Sequence, residues 1–133
     1  MVEVMVEFIG EAASQSGLSV DTIRYYDTLG LVYFADRDPA GRRRFSDDAV
    51  RWLVFLRQMR ATGMPLAQLR EYISQREQGR DGVGGVLDVL REHQRAMLAA
   101  RAELDDCLAM VETKITKYEQ LARTGQPPGA PEV

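Results

Sequence analysis

Cysteine occurs once in the 133 residues, at Cys107, which excludes an internal disulfide and a zinc cluster built on several thiolates. Histidine also occurs once, at His93, and neither a nucleophile–base pair nor a phosphate-binding loop accompanies it, so an enzyme is not expected. Nothing calls for a cofactor or a metal. No apolar run approaches the roughly 18 residues a membrane span needs. Residues Met1 to Phe8 carry Glu3 and Glu7 but no Lys or Arg, unlike a secretory signal, and a cytoplasmic protein is expected. Proline is sparse, and three of the five lie in the last seven residues (Pro127, Pro128, Pro131), so 124–133 reads as a disordered tail.

What is present is a globular composition, 45% hydrophobic and 28% charged, enough for one domain or for one small domain with an extension. The net charge of −3 hides a pattern. Between Arg37 and Arg60 stand seven arginines (Arg37, Arg42, Arg43, Arg44, Arg51, Arg57, Arg60) against three aspartates, a local charge of +4 on a body of −7. A basic patch on an acidic chain is an electrostatic footprint for a polyanion.

Ile9, Ala12, Ala13 and Ser16 fall at i, i+3, i+4, i+7, the spacing of one helix face, and Gly17 suits the left-handed residue that ends a helix. Ser19 then caps a second helix, with Asp21 at its positive end and Gly30 as its stop. Two short helices joined by a tight Gly-containing turn have the form of a helix-turn-helix. Val32-Tyr33-Phe34, the turn Asp38-Pro39-Ala40-Gly41 and the return arm Arg42-Arg43-Arg44-Phe45 predict a β-hairpin. Ser46 caps a further helix with its apolar face on Ala49, Val50, Leu53, Val54, Leu56 and Met59, ending near Gly63. Pro65 fits the first turn of the next helix, whose buried face is Leu66, Leu69, Tyr72 and Ile73. Gly79 to Gly85 reads as a hinge-like break; Gly82-Val83-Gly84-Gly85 follows no strand and is taken as linker.

From Leu87, the positions 87, 90, 94, 97, 101, 104, 108, 111, 115, 118 and 122 step by three and four, and nine of the eleven are apolar, so the period is that of a coiled coil. The seam is Leu87, Leu90, Met97, Leu104, Leu108, Val111, Ile115 and Tyr118, with Gln94 and Arg101 as its polar members. The 36 residues from Leu87 to Ala122 would span about 54 Å, too long for so small a head to cover. Burial against a second copy is the natural solution, and folding back on the head is the alternative.

Taken together, Ile9-Gly10-Glu11-Ala12-Ala13, Gly17-Leu18-Ser19-Val20-Asp21-Thr22-Ile23-Arg24-Tyr25-Tyr26-Asp27 and Gly30-Leu31 resemble the helix-turn-helix of the MerR family of bacterial transcription regulators. Arg42-Arg43-Arg44-Phe45-Ser46, Leu53, Phe55-Leu56, Met59-Arg60, Gly63-Met64-Pro65-Leu66 and Leu69 resemble that family's wing and second helix pair. The resemblance implies an all-α fold with a small β wing. A winged helix-turn-helix head occupies 8–75, a linker 76–85 and an antiparallel coiled-coil dimerisation helix 86–123. It also implies a homodimer on double-stranded DNA, at an inverted repeat in an overlong promoter spacer. An effector makes the dimer bend and untwist that spacer, so RNA polymerase is an indirect partner. The family's metal sensors carry paired cysteines beyond the dimerisation helix, and this sequence has none there. The chain is most like the aldehyde- and thiol-stress branch, but Gln58 stands where that branch's reactive cysteine is expected.

With the second helix in the major groove, Ser19, Thr22, Arg24 and Tyr25 are the candidate DNA-binding residues, Arg24 suited to a bidentate contact and Tyr25 to a phosphate. Tyr26 reads as a core aromatic. On the wing, Arg42, Arg43 and Arg44 are candidates; strand alternation keeps all three from pointing one way, so two are expected toward DNA and one toward solvent, Asp36 or Asp38. Arg51, Arg57 and Arg60 are weaker candidates. Cys107 reads as a buried or half-buried inert thiol. In an antiparallel dimer centred near Ala100, His93 of one chain would meet Cys107 of the other, but two ligands do not make a metal site. The competing function is a protein-interaction adaptor with a degenerate DNA-binding head, favoured only by the acidic net charge. The operator, the effector and the sign of regulation are not written in the sequence.

Overall fold

The structure is a computed structural model that describes residues 6–131. The chain divides into a head that ends at His93 and a second unit that starts at Gln94.

In the head, α1 (Ile9–Ser16) stops at Gly17, whose φ of 81° puts its N–H on the carbonyl of Ala13. A second orphan carbonyl at that end, on Ser16, accepts from Arg57 Nε at 2.9 Å. Ser19 caps α2 (Val20–Thr28) as expected, its Oγ accepting from the Thr22 N–H at 3.0 Å. Ile23 and Tyr26 bury the inner face of α2.

The hairpin begins later than its apolar run suggested. Strand β2 is Ala35–Arg37, not 32–34, because Phe34 holds φ 66° and cannot continue an extended ladder. Strand β3 (Arg43–Ser46) pairs Ala35 with Phe45, Asp36 with Arg44 and Arg37 with Arg43. A third strand, β1 (Val6–Glu7), lies on the other edge of β3, so the sheet order is β1-β3-β2. Phe45, on the middle strand, is fully buried, worth about 1.5–3 kcal/mol in apolar burial.

Ser46 caps α3 (Asp47–Ala61), accepting from the Ala49 N–H at 3.2 Å. Ala49, Val50, Leu53 and Leu56 are buried, as the periodicity required, and so is Trp52, which it did not pick out. The indole is accommodated because Nε1 donates to the Leu31 carbonyl at 2.7 Å while Phe55 and Tyr72 stack on its ring. Helix α4 (Leu66–Glu77) starts one residue after Pro65, whose carbonyl accepts from Gln68 and Leu69.

The stretch read as linker is folded. After α4 comes a 3-10 turn, Gly79–Gly82, and α5 begins at once with Val83. A Cβ on Gly82 would collide with the backbone carbonyl of Gln75, and one on Gly85 with the Gln75 side chain. Gly82 permits a close approach of backbone to backbone, and Gly85 leaves room for the Gln75 side chain, so neither is slack.

Helix α5 (Val83–Thr124) has 42 residues. Its Val89 and His93 are buried in the head, and His93 Nε2 lies 2.9 Å from Thr62 Oγ1. The Thr62 hydroxyl also lies within donating distance of the Gln58 carbonyl, at 2.9 Å. His93 is therefore engaged inside its own head, one position off the seam, and not free to meet a Cys107.

In the second unit, Leu104, Leu108, Val111, Ile115 and Tyr118 are each at least half exposed. Cys107 is exposed too, where burial or half-burial was expected. Gly125 ends the helix with φ 71°, and 126–131 form no regular element. No helix among the described residues is long and apolar enough to cross a membrane.

Candidate nucleic-acid interface

The candidate surface is built by the start of α2 and by the hairpin. Ser19 spends its hydroxyl locally: besides capping, it donates to Thr22 Oγ1 at 2.8 Å. Thr22, having accepted, keeps its own proton to offer. Arg24 and Tyr25 are exposed, one turn from the N-terminus of a capped helix. Arg24 shares a depression of about 360 Å³ with Phe8, Asp27, Arg37, Arg42 and Arg43. Three of the sequence candidates, Arg24, Arg42 and Arg43, thus line one depression, while Thr22 and Tyr25 stand on the same helix as Arg24 and Ser19 caps it.

The three wing arginines have three different environments. Arg43 sits on the same face of β3 as the buried Phe45, since alternate residues share a face. Its guanidinium is consequently aimed inward, gripping Asp27 by Nη2–Oδ1 at 2.6 Å and Nε–Oδ2 at 3.1 Å, and donating Nη1 to the Ala35 carbonyl at 3.2 Å. Arg42 is the wing arginine held by an aspartate of its own turn: Nε meets Asp38 Oδ2 at 2.9 Å, and Cζ lies 4.3 Å from the Phe8 ring centroid. Arg44 is half-buried, with an Nε that has no hydrogen-bond partner.

Asp38 also organises the turn. Desolvation would raise its pKa, but the backbone N–H and guanidinium of Arg42 and the backbone N–H of Ala40 outweigh that and hold the carboxyl below its ordinary value. Its contribution is therefore present above the ordinary carboxylate range and is lost as the pH falls through that lowered value.

The Arg43–Asp27 fork joins the hairpin to α2 across sixteen residues of sequence, and no spacing rule announces it. Asp27→Ala would leave a half-buried guanidinium unpaired. It is expected to cost about 1–2 kcal/mol, between the values for exposed and buried pairs, read as a lower urea midpoint at unchanged slope. A midpoint that does not move would mean the fork is idle.

The weaker basic candidates are occupied within the head. Arg51 pairs with Asp48, Arg57 caps α1, and Arg60 Nη1 donates to the Met64 carbonyl at 2.9 Å. Arg37, named in the sequence only as part of the basic patch, and Phe8, not named as a contact, line the depression, and Arg37 Nη1 also donates to the Gly41 carbonyl at 2.8 Å. Among the described residues no group of three or more His, Cys, Asp or Glu is placed to hold a metal ion.

A family model described as MerR HTH family regulatory protein matches residues 9–76. An uncharacterized HTH-type transcriptional regulator of Haemophilus influenzae is 30% identical over 115 residues, covering 86% of this chain and 85% of that protein. The crystal structure of HiNmlR, a MerR family regulator lacking the sensor domain, bound to promoter DNA, is similar with a TM-score of 0.84 at 29% identity, over 96% of this chain and 98% of that one. A transcriptional regulator of the MerR family from Bacillus thuringiensis is similar with a TM-score of 0.76 at 28% identity, over 86% of this chain and all of that one (100%).

Proposed function

This chain belongs to the MerR helix-turn-helix family of regulatory proteins, and from that premise we propose that it binds an inverted-repeat promoter operator as a homodimer and distorts the promoter spacer in response to an effector. The observation that carries this reading is Arg24: an exposed side chain near the start of a capped helix, in the same depression as Arg42 and Arg43. HiNmlR, similar over almost the whole chain, is bound to promoter DNA in its crystal structure.

In this reading residues 8–75 are the DNA-binding head and 86–123 the dimerisation helix. Thr22, Arg24 and Tyr25 contact the major groove, and Ser19 sets the helix start that presents them. Arg42 and Arg44 contact flanking backbone or minor groove. Arg43 keeps the wing in place through Asp27. RNA polymerase is reached through the altered promoter, not by contact.

The division of labour is measurable by fluorescence anisotropy at several salt concentrations, on operator and on random DNA. Arg24→Ala is expected to cost about 1–3 kcal/mol per contact and to hurt the operator more than random DNA. Arg42→Ala with Arg44→Ala is expected to weaken both DNAs alike and to lower the salt slope by about one per phosphate lost. A dimer loses each contact twice. Equal loss on both DNAs for Arg24→Ala makes Arg24 a phosphate contact. Absence of any change in both variants removes this surface from DNA and favours the adaptor reading.

A further inference from the structure

Phe8 departs from two local rules. It is the N-cap of α1, in an extended conformation (φ −85°, ψ 170°) suited to a Ser or Thr that accepts from an orphan N–H, yet its side chain makes no cap hydrogen bond. Its ring is 38% exposed, beside Arg24 and the hairpin arginines, and is no part of the hydrophobic core. Neither capping nor core packing asks for a phenylalanine at this position.

Arg42 supplies the reason. Its Cζ lies 4.3 Å from the Phe8 centroid, well inside the range of a cation–π contact. Along one edge of the same guanidinium, Asp38 Oδ2 accepts from Nε at 2.9 Å. Asp38 is itself anchored, since Oδ1 accepts from the Arg42 backbone N–H at 2.8 Å and its side chain is only 7% exposed. Arg42 is thus held at two points and still has a side chain that is 66% exposed. A free arginine samples many rotamers, and choosing one of them opposes binding. Here a ring and a carboxylate make the choice before any ligand arrives. With Nε spent on Asp38, the fork left for an anion is Nη1 and Nη2, which fits two oxygens of one phosphate.

We propose that Phe8 is a positioning residue for DNA binding: its ring, together with Asp38 at Nε, holds the Arg42 guanidinium in the plane in which Nη1 and Nη2 meet a backbone phosphate. The proposal rests on the reading in which Arg42 contacts DNA, and it adds a residue that acts through Arg42 without touching a nucleotide. The expected signature is weaker binding of every sequence alike, with the number of phosphates contacted unchanged.

Fluorescence anisotropy of the full chain on a labelled duplex of mixed sequence is the test, because a phosphate contact needs no operator. Phe8→Leu keeps an apolar side chain and caps α1 no better than phenylalanine, so circular dichroism should show the head folded. Its affinity should fall about fivefold, since a dimer carries the ring twice, at an unchanged salt slope. Phe8→Tyr, which keeps a ring under the guanidinium, should restore the affinity. In an Arg42→Ala background, Phe8→Leu should cost nothing further. An equal loss in that background overturns the proposal by putting the ring itself on DNA. An unfolded Phe8→Leu variant overturns it by making Phe8 a structural residue. If Arg42→Ala weakens binding and Phe8→Leu does not, the proposal fails alone. If Arg42→Ala costs nothing, the contact assigned to Arg42 fails and the proposal falls with it.

Discussion

Gly82→Ala is expected to destabilise the head by about 3 kcal/mol or more, at the upper end of overpacking effects, because the new Cβ collides with a backbone carbonyl that cannot swing away. That carbonyl belongs to Gln75 in α4, so relief requires separating α4 from the start of α5. Gly84→Ala, two residues on, is the control. Nothing lies within 4 Å of its added Cβ and it is inside a helix, so it should stabilise by about 0.5–1 kcal/mol. Urea denaturation of the two variants measures both signs. Equal and small effects would mean that the junction opens at little cost, as a true linker would.

Leu104→Asp combined with Leu108→Asp is expected to convert a dimer into monomers. Both leucines are at least half exposed on the chain, and they continue through Val111, Ile115 and Tyr118 in steps of three and four. Burying two such leucines against a second copy contributes about 1.5–3 kcal/mol for each, and carboxylates in their place must be desolvated without partners, a cost of several kcal/mol. Light scattering would report the loss of mass. Met110→Asp provides the contrast: Met110 is 63% exposed and apolar but lies off the stepping, so its variant should remain dimeric. A double variant that stays dimeric would show the seam to be elsewhere. Dimerisation would then fall to the part of α5 near Leu87 and Leu90, or to the head.

Local chemistry made much of the head legible in the sequence. Ser19 and Ser46 announce their helices because a hydroxyl can satisfy an orphan N–H only at the cap, and Gly17 announces a helix end because it alone takes φ 81° without strain. Where the sequence misled, a tertiary contact outweighed a local preference. Val32-Tyr33-Phe34 has the composition of a strand, yet Phe34 turns left-handed and delays β2 to Ala35. Gly82 and Gly85 look like slack, yet a Cβ on the first would meet the Gln75 backbone and one on the second the Gln75 side chain. Trp52 escaped because its burial depends on a carbonyl twenty-one residues away. At the candidate interface, Arg24 could be placed by its position on a helix, but the alternation of β3 decides which wing arginine is spent internally. That required knowing that Phe45 faces the core.

The fork between Arg43 and Asp27 fixes the distance between α2 and the hairpin, with a third bond from Arg43 to the Ala35 carbonyl as a brace. A head braced in this way is a gauge of set width. In the proposed reading, its two points of contact on a duplex would fall a constant number of base steps apart. Letters between them would be exchanged at small cost, whereas inserting or deleting a letter would throw one contact out of phase with the other. Tolerance of spelling and intolerance of length would then be properties of each half-site, set by one ion pair that touches no nucleotide.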